Sequence, residues 1–183
     1  LNNGSSWANA KTSLYDTLTA AAGADEIWVA AGTYYPDVGA ILINNNQFLT
    51  FTLPVRGLVY GGFSGSETVE SQRDPVANET ILSGDLAQDG SIRSYTVVTS
   101  SGGHPSSKLD GFIVEGGESP LLSPCASVVC NGAGMDILAS KIQVNNCVFR
   151  QNTTPGNGGA IFIESSAPLI NHTRFLSNSA ALG

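Results

Sequence analysis

The chain has 183 residues, of which 42% are hydrophobic and 13% are charged, and its formal net charge is −7. This hydrophobic content excludes a disordered polypeptide, and the sequence has no Lys/Arg cluster of the kind that binds nucleic acid or an anionic membrane. No apolar run reaches the roughly 18 to 20 residues that a membrane-spanning helix needs. The 21 glycines, with many Ser, Thr and Asn residues, favour turns and short strands.

The N-terminal region has the periodicity of an amphipathic helix. Apolar residues recur at steps of three and four, at Trp7, Ala10, Leu14, Leu18 and Ala21. Ser6 is a suitable N-cap and Gly23 a suitable terminator, so we predict a helix over residues 7–22. A helix that precedes the first strand can cover the open end of stacked β-structure, and we expect this one to act as a cap.

Short apolar runs typical of strands follow the helix. They lie at 25–30, 48–53, 58–60, 80–82, 95–98 and 111–114. The polar or irregular segments 37–47, 64–79 and 118–131 are predicted to be insertions. In domain terms, residues 1–57 contain the cap helix and the first strands, and residues 58–183 contain coils with insertions within one continuous domain.

An internal repeat occupies the C-terminal third, where residues 131–152 align without a gap on residues 157–178. A period of this length indicates a stacked array. Residues at i and i+2 of a strand point to the same face. The first copy contains three such apolar pairs: Met135 and Ile137, Ile142 and Val144, and Cys147 and Phe149. We therefore predict three strands per coil, stacked in parallel and in register, with Phe149 on Phe175.

Asparagines recur at matching positions of the two copies. Asn145 matches Asn171, and Asn152 matches Asn178. Stacked amides can donate to one another in ladders that satisfy the backbone at turns. A ligand-binding row of amides is the alternative role, and the ladder is the favoured one.

Cys125 and Cys130 lie close together in a stretch bounded by prolines and a glycine. A disulfide that fixes this loop is expected in an oxidising compartment, with two unpaired thiols as the alternative. Zinc is disfavoured because no second Cys or His pair accompanies them at ligand spacing.

One acidic loop could hold a cation. Asp85 and Asp89, between Gly84 and Gly90, offer oxygen ligands to calcium, and Asp110 on a neighbouring coil is a third candidate. The spacing matches no EF-hand, and a solvated turn is the favoured alternative. Acidic and basic residues form no catalytic constellation at matched coil positions, and no cofactor other than calcium is expected.

Two apolar residues of the second copy are predicted to point outward. Phe162 and Leu169 stand where Asp136 and Gln143 stand one coil earlier. Exposed apolar residues of this kind form a contact patch or lie beneath an insertion such as 118–131.

Several motifs resemble known β-helix families. Gly158-Gly159-Ala160-Ile161 and Phe175-Leu176-Ser177-Asn178 resemble the GGAI and FxxN tetrads of chlamydial polymorphic outer membrane proteins, although residues 132–135 read Gly-Ala-Gly-Met. The N-terminal part, with Tyr60-Gly61-Gly62-Phe63 and Gln72-Arg73-Asp74, is similar to the opening module of Bacteroidota β-helix repeat proteins. The resemblance covers nearly the whole chain and implies a pectin-lyase-like, right-handed parallel β-helix.

The expected fold is therefore all-β: a right-handed parallel β-helix with three strands per coil and an N-terminal capping α-helix. The expected function is that of a non-enzymatic, extracellular module of a larger bacterial surface or secreted protein, for adhesion or as a structural stalk. A polysaccharide lyase or glycoside hydrolase is the alternative enzyme function, and a carbohydrate-binding module is the third candidate. Expected partners are glycans, host or cell-surface proteins, and further repeats of the parent chain, because the sequence stops in mid-period.

Overall fold

Most of the chain is β-structure. A computed structural model describes residues 3–23, 25–120 and 130–182. Within them it contains one α-helix and sixteen strands, and the strands pair in parallel throughout. The predicted mostly β organisation with parallel sheets and a small helical part is thus confirmed.

The strands follow one another in five successive circuits of the chain. The first contains β1 (Glu26–Ala30), β2 (Gly32–Tyr34) and β3 (Phe51–Thr52). The second contains β4 (Leu58–Phe63), β5 (Thr80–Ser83) and β6 (Val98–Ser101). The third contains β7 (Lys108–Asp110), β8 (Ile113–Glu115) and β9 (Met135–Leu138). The fourth contains β10 (Gln143–Asn145), β11 (Val148–Arg150), β12 (Thr153–Thr154) and β13 (Ile161–Glu164). The fifth contains β14 (Leu169–Asn171), β15 (Arg174–Leu176) and β16 (Ser179–Ala180).

Corresponding strands of successive circuits lie side by side. Sheet A has the order β1-β4-β7-β10-β14, sheet B has β2-β5-β8-β11-β15, and sheet C has β3-β6-β9-β13. Strands β12 and β16 form a two-stranded sheet. The 26-residue offset of the repeat is the pairing register in all three sheets, as in Val144 with Ile170 and Phe149 with Phe175.

The chain changes direction between sheets at residues with left-handed backbone conformation. From sheet A to sheet B these are Gly111, Asn146 and His172; from B to C they are Gly116, Gln151 and Ser177; from C to A they are Gly102, Ala139 and Ser165. Non-glycine residues rarely adopt this left-handed conformation. Its recurrence one circuit apart therefore indicates that the turns repeat as regularly as the strands.

Alternate residues of the strands form the core. The three apolar pairs of the first repeat copy, Met135 to Phe149, are at most 1% exposed. In the second copy Ile163 is 44% exposed and Phe175 is 50% exposed. These two side chains belong to the last strands of their sheets, so no strand of the described chain stacks on their outer side.

The predicted helix is shorter than its periodicity suggested. Helix α1 spans Leu14–Ala20, and Trp7–Asn9 forms a separate 3-10 turn. Ser13 is the N-cap, and its hydroxyl accepts the N–H of Asp16 at 3.0 Å. Trp7 lies outside the helix because its indole N–H donates to the carbonyl of Glu67, 60 residues away (2.9 Å). Helix α1 buries Leu14 and Leu18 and contacts β3, the first strand of sheet C.

The segment between β5 and β6 differs from its prediction. Asp85 and Arg93 form an antiparallel bridge, which makes this segment an insertion that the sequence pattern did not indicate. The apolar run at 95–98 begins its strand only at Val98. Tyr95 instead packs its ring edge-on against Phe48, which is 70% exposed and likewise lies outside a strand.

Candidate functional site

Arg73 fixes the insertion 64–79 to the turn between sheets A and B. Its guanidinium forms ion pairs with Glu70 and Asp110, both at 2.6 Å, and donates to the Gly61 carbonyl at 3.0 Å. Asp110 also accepts the Asn146 amide at 2.9 Å. Burial lowers the pKa of Arg73, but the hydrogen bonds and charges of Asp110 and Glu70 outweigh it and raise the pKa overall. This cluster connects the second, third and fourth circuits.

A groove of about 530 Å³ adjoins this cluster on the outer surface. Its wall includes charged or titratable side chains of the insertion and of the fourth and fifth circuits, namely Glu70, Arg73, Glu79, His172 and Arg174. Arg73 and Glu70 are paired with each other, whereas Glu79, His172 and Arg174 form no ion pair within the described part of the chain.

The two candidate calcium ligands, Asp85 and Asp89, accept hydrogen bonds from the backbone of their own loop. Both carboxylate oxygens of Asp85 accept the N–H of Gly90, at 2.9 and 3.1 Å, and Asp89 accepts the N–H of Ser91 at 2.9 Å. Hydrogen bonds from the side chain and backbone of Ser91 lower the pKa of Asp89. Asp110 lies in the Arg73 cluster instead. Within the described ranges no group of three or more His, Cys, Asp or Glu side chains is arranged to hold a metal ion, and calcium binding stays a prediction.

The recurring asparagines bond to one another across circuits. Asn171 donates its amide to Asn145 Oδ1 at 3.3 Å, and Asn152 donates to Asn178 Oδ1 at 3.0 Å. Asn152 is fully buried; it also donates to the Val114 carbonyl at 3.0 Å and accepts the Gly117 N–H at 3.0 Å. One amide thereby joins three circuits. The rings of Phe149 and Phe175 are stacked at 5.7 Å.

The cysteines fall into two groups. Cys130 is buried and belongs to a disulfide, and its predicted partner Cys125 lies outside the described residues. Pairing between these two residues stays a prediction. Cys147 is a buried thiol in the core, and burial raises its pKa to about 12. Such a thiol packs as a small apolar group and is a poor nucleophile.

Two carboxylates lie on the outer face of sheet C. Asp136 of β9 pairs in register with Phe162 of β13, and Glu164 follows two residues later on the same face. Asp136 Oδ1 is buried and has no hydrogen-bond partner in the described part of the chain. Burial first, and the charge of Glu164 second, raise the pKa of Asp136. The alternation placed Asp136 outward, but its burial and its acidic neighbour were not anticipated.

The other outward residues serve different contacts. Phe162 is partly buried on sheet C, whereas Leu169 of β14 is 53% exposed. Gln143, the counterpart of Leu169, donates its amide to the Pro105 carbonyl at 2.8 Å. The exposed aromatic residues Phe48 and Phe175 lie in the first and fifth circuits, too far apart in the fold to form the continuous row that a carbohydrate-binding face would use.

A larger cavity, of about 1030 Å³, lies at the N-terminal end of the stack. It is bordered by the N-terminal segment, helix α1, strand β1 and the loop 65–68. Trp7 and Trp28 are in its wall, and both contact the buried ring of Phe63, at 5.6 and 4.7 Å between centroids.

Comparisons of this chain with models of protein families, with curated proteins and with solved structures found no match. In residues 3–23, 25–120 and 130–182 no helix combines the length and the apolar character needed to cross a membrane.

Proposed function

We propose that sheets A, B and C are the three faces of a right-handed parallel β-helix of the pectin-lyase-like type. The support is the order in which the chain visits the sheets: it passes through A, B and C in turn and adds one strand to each per circuit. The left-handed residues that recur at all three turns support the same architecture.

We further propose that this module is a non-enzymatic, extracellular part of a larger bacterial surface or secreted protein, which acts as a stalk or in adhesion. The observation that carries this proposal is the set of side chains that link neighbouring circuits. The second, third and fourth circuits are joined by the contacts among Arg73, Asp110 and Asn146. The third, fourth and fifth circuits are joined by Asn152. Such links stiffen the stack along its axis, which suits a structural spacer. The disulfide at Cys130 fits an oxidising, extracellular location.

The proposal is tested by activity and binding together. The purified chain is incubated with neutral and acidic polysaccharides, with and without calcium, and new chain ends are measured. We expect no cleavage, and we expect retention of the chain on immobilised cell-surface glycans or proteins in pull-down assays. Cleavage that scales with protein concentration would overturn the non-enzymatic role.

The carboxylates on sheet C support a second candidate, a glycoside hydrolase. An acid with a raised pKa beside a second carboxyl group is the pair that hydrolysis of a glycosidic bond requires. Asp136 would then protonate the leaving oxygen, and Glu164 would serve as the base or nucleophile.

This second candidate predicts a specific loss of activity. Asp136→Asn and Glu164→Gln should each abolish polysaccharide cleavage, whereas Asp89→Asn, which removes an exposed carboxylate from a distant loop, should leave it unchanged. If cleavage is found but survives both substitutions, the site lies elsewhere.

A further inference from the structure

The cavity at the N-terminal end follows one strand along its whole length. All five residues of β1 border it, together with the N-terminal segment, helix α1 and the loop 65–68. The buried side chains of Ile27 and Val29 belong to the inner face of β1, whereas Glu26 and Trp28 belong to the opposite face. Only the edge of a strand adjoins both of its faces. The cavity therefore lies along the edge of β1.

Among the described strands, none pairs with the outer edge of β1. Strand β1 is the first strand of sheet A, with β4 on its other side. The N–H of Leu58 in β4 donates to the carbonyl of Asp25 at 2.9 Å, which fixes the alternation of the ladder. Because the peptide groups of a parallel strand point alternately to either side, those of Glu26 and Trp28 point away from β4 and toward the cavity. An edge of this kind is a template for another strand.

The aromatic residues of the cavity wall contact one another. Trp28 stacks on Phe63 at 4.7 Å with an interplanar angle of 10°, and Trp7 lies 6.2 Å from Trp28. Both indole N–H groups are used internally: Trp28 donates to Glu26 Oε1 at 2.6 Å, and Trp7 donates to the Glu67 carbonyl. The indole hydrogen-bonding capacity of both tryptophans is thus already used within the protein.

The cavity is acidic at its border. Asp25, Glu26 and Glu67 contribute carboxylates, and Lys11 is the one Lys or Arg among the described lining residues. An occupant with basic side chains complements this charge distribution.

We propose that this cavity binds an extended polypeptide segment of a partner protein, bearing Lys or Arg, which adds to sheet A as a further strand beside β1. Backbone hydrogen bonds to Glu26 and Trp28 hold the segment, and the acidic border selects its basic side chains. The site is independent of the stalk or enzyme role, because none of its residues belongs to the sheet C carboxylates or to the links between circuits.

The chain provides its own probe for this test, because its only two tryptophans, Trp7 and Trp28, both border the cavity. The probe ligand is a short synthetic peptide of alternating Val, Thr and Lys, titrated at low ionic strength while tryptophan emission is recorded. We expect a saturable change in emission, together with slower hydrogen exchange of the Glu26 and Trp28 amides.

Two peptide series and one pair of variants decide the outcome. N-methylation of one alternate set of peptide amides should abolish binding, while methylation of the other set is tolerated, since only one set faces β1. Exchange of Lys for Glu in the peptide, or Glu26→Lys in the protein, should weaken binding about tenfold, and Glu79→Lys outside the cavity should not. Equal loss from both methylated peptides, no saturable response, a response to oligosaccharides instead of peptides, or self-association through β1 would each overturn the proposal.

Discussion

At the scale of single residues, Asn152 has the largest expected effect on stability. Its side chain is buried and bonds to Val114, Gly117 and Asn178. Asn152→Ala leaves buried backbone groups without partners, so we expect a loss of about 3 kcal/mol in the free energy of unfolding. Urea titration followed by circular dichroism measures this loss.

The exposed pair of stacked amides, Asn145 and Asn171, provides the control for that substitution. Asn171 makes the equivalent amide contact to Asn145, but water can replace its partner. Asn171→Ala should cost less than about 1 kcal/mol. Similar losses for the two variants would show that burial does not distinguish the ladders.

Asp136 makes stability depend on pH. Its pKa in the folded chain is raised above the ordinary value of 3.8, so between the two values the folded state binds more protons than the unfolded state. The contribution of Asp136 to stability is therefore fully present below its ordinary pKa of 3.8, and it is lost as the pH rises through the pKa of the folded state. Asp136→Asn should raise Tm near neutral pH and leave it unchanged below the ordinary Asp pKa. Thermal melts across this range test the sign, and a variant that loses Tm near neutral pH would contradict it.

At the scale of elements, the structure differs from the sequence prediction at the start of helix α1. The pattern offers Ser6 as N-cap, whereas Ser13 caps the helix and also donates its hydroxyl to the Val38 carbonyl at 2.9 Å. Ser13→Ala should cost about 1 kcal/mol, and Ser6→Ala, at a position with no side-chain cap, less than about half of that. Chemical denaturation of both variants measures these losses in stability. A larger loss for Ser6→Ala than for Ser13→Ala would support the longer helix that the sequence predicts.

The elements that were predicted correctly are those that arise from local or periodic patterns in the sequence. Strands β9 to β11 and β13 to β15 follow from the 26-residue repeat, because the same apolar pairs recur in the same register. The prediction was wrong for residues 7–13, which precede helix α1, and there Trp7 is held by Glu67 in a contact that no local pattern contains. The antiparallel bridge between Asp85 and Arg93, eight residues apart, was also not predicted.

The candidate sites were less predictable for a related reason. Arg73 and Asp110 are 37 residues apart, and the sequence offered one as part of an insertion and the other as a calcium ligand. Their pairing follows from stacking of the second circuit on the third. Likewise the edge of β1 becomes a cavity only because the segment containing Trp7 and the loop 65–68 fold beside it.

At the scale of the whole molecule, the links between circuits overlap in the middle of the stack. The Arg73 cluster joins the second to the fourth circuit, and Asn152 joins the third to the fifth. Within the described chain the strands of the fifth circuit have a neighbouring strand on one side only, and Phe175 of this circuit is half exposed. In a stacked array each circuit is stabilised chiefly by its neighbours. Opening should therefore begin at the fifth circuit while the third and fourth remain closed.

Amide hydrogen exchange on the 183-residue chain tests this gradient. Protection should be highest in β7, β10 and β11 and lowest in β14 to β16, because a strand with neighbours on both sides opens only when those neighbours open. Asn178→Ala removes the link to Asn152 and the donation to the Phe149 carbonyl, and it should speed exchange in β15 and β16 by about tenfold or more while leaving β4 and β5 unchanged. Asn171→Ala, at the exposed ladder, should change neither region. Uniform acceleration across all five circuits would mean that the stack opens as one cooperative unit, and the stepwise account would then be wrong.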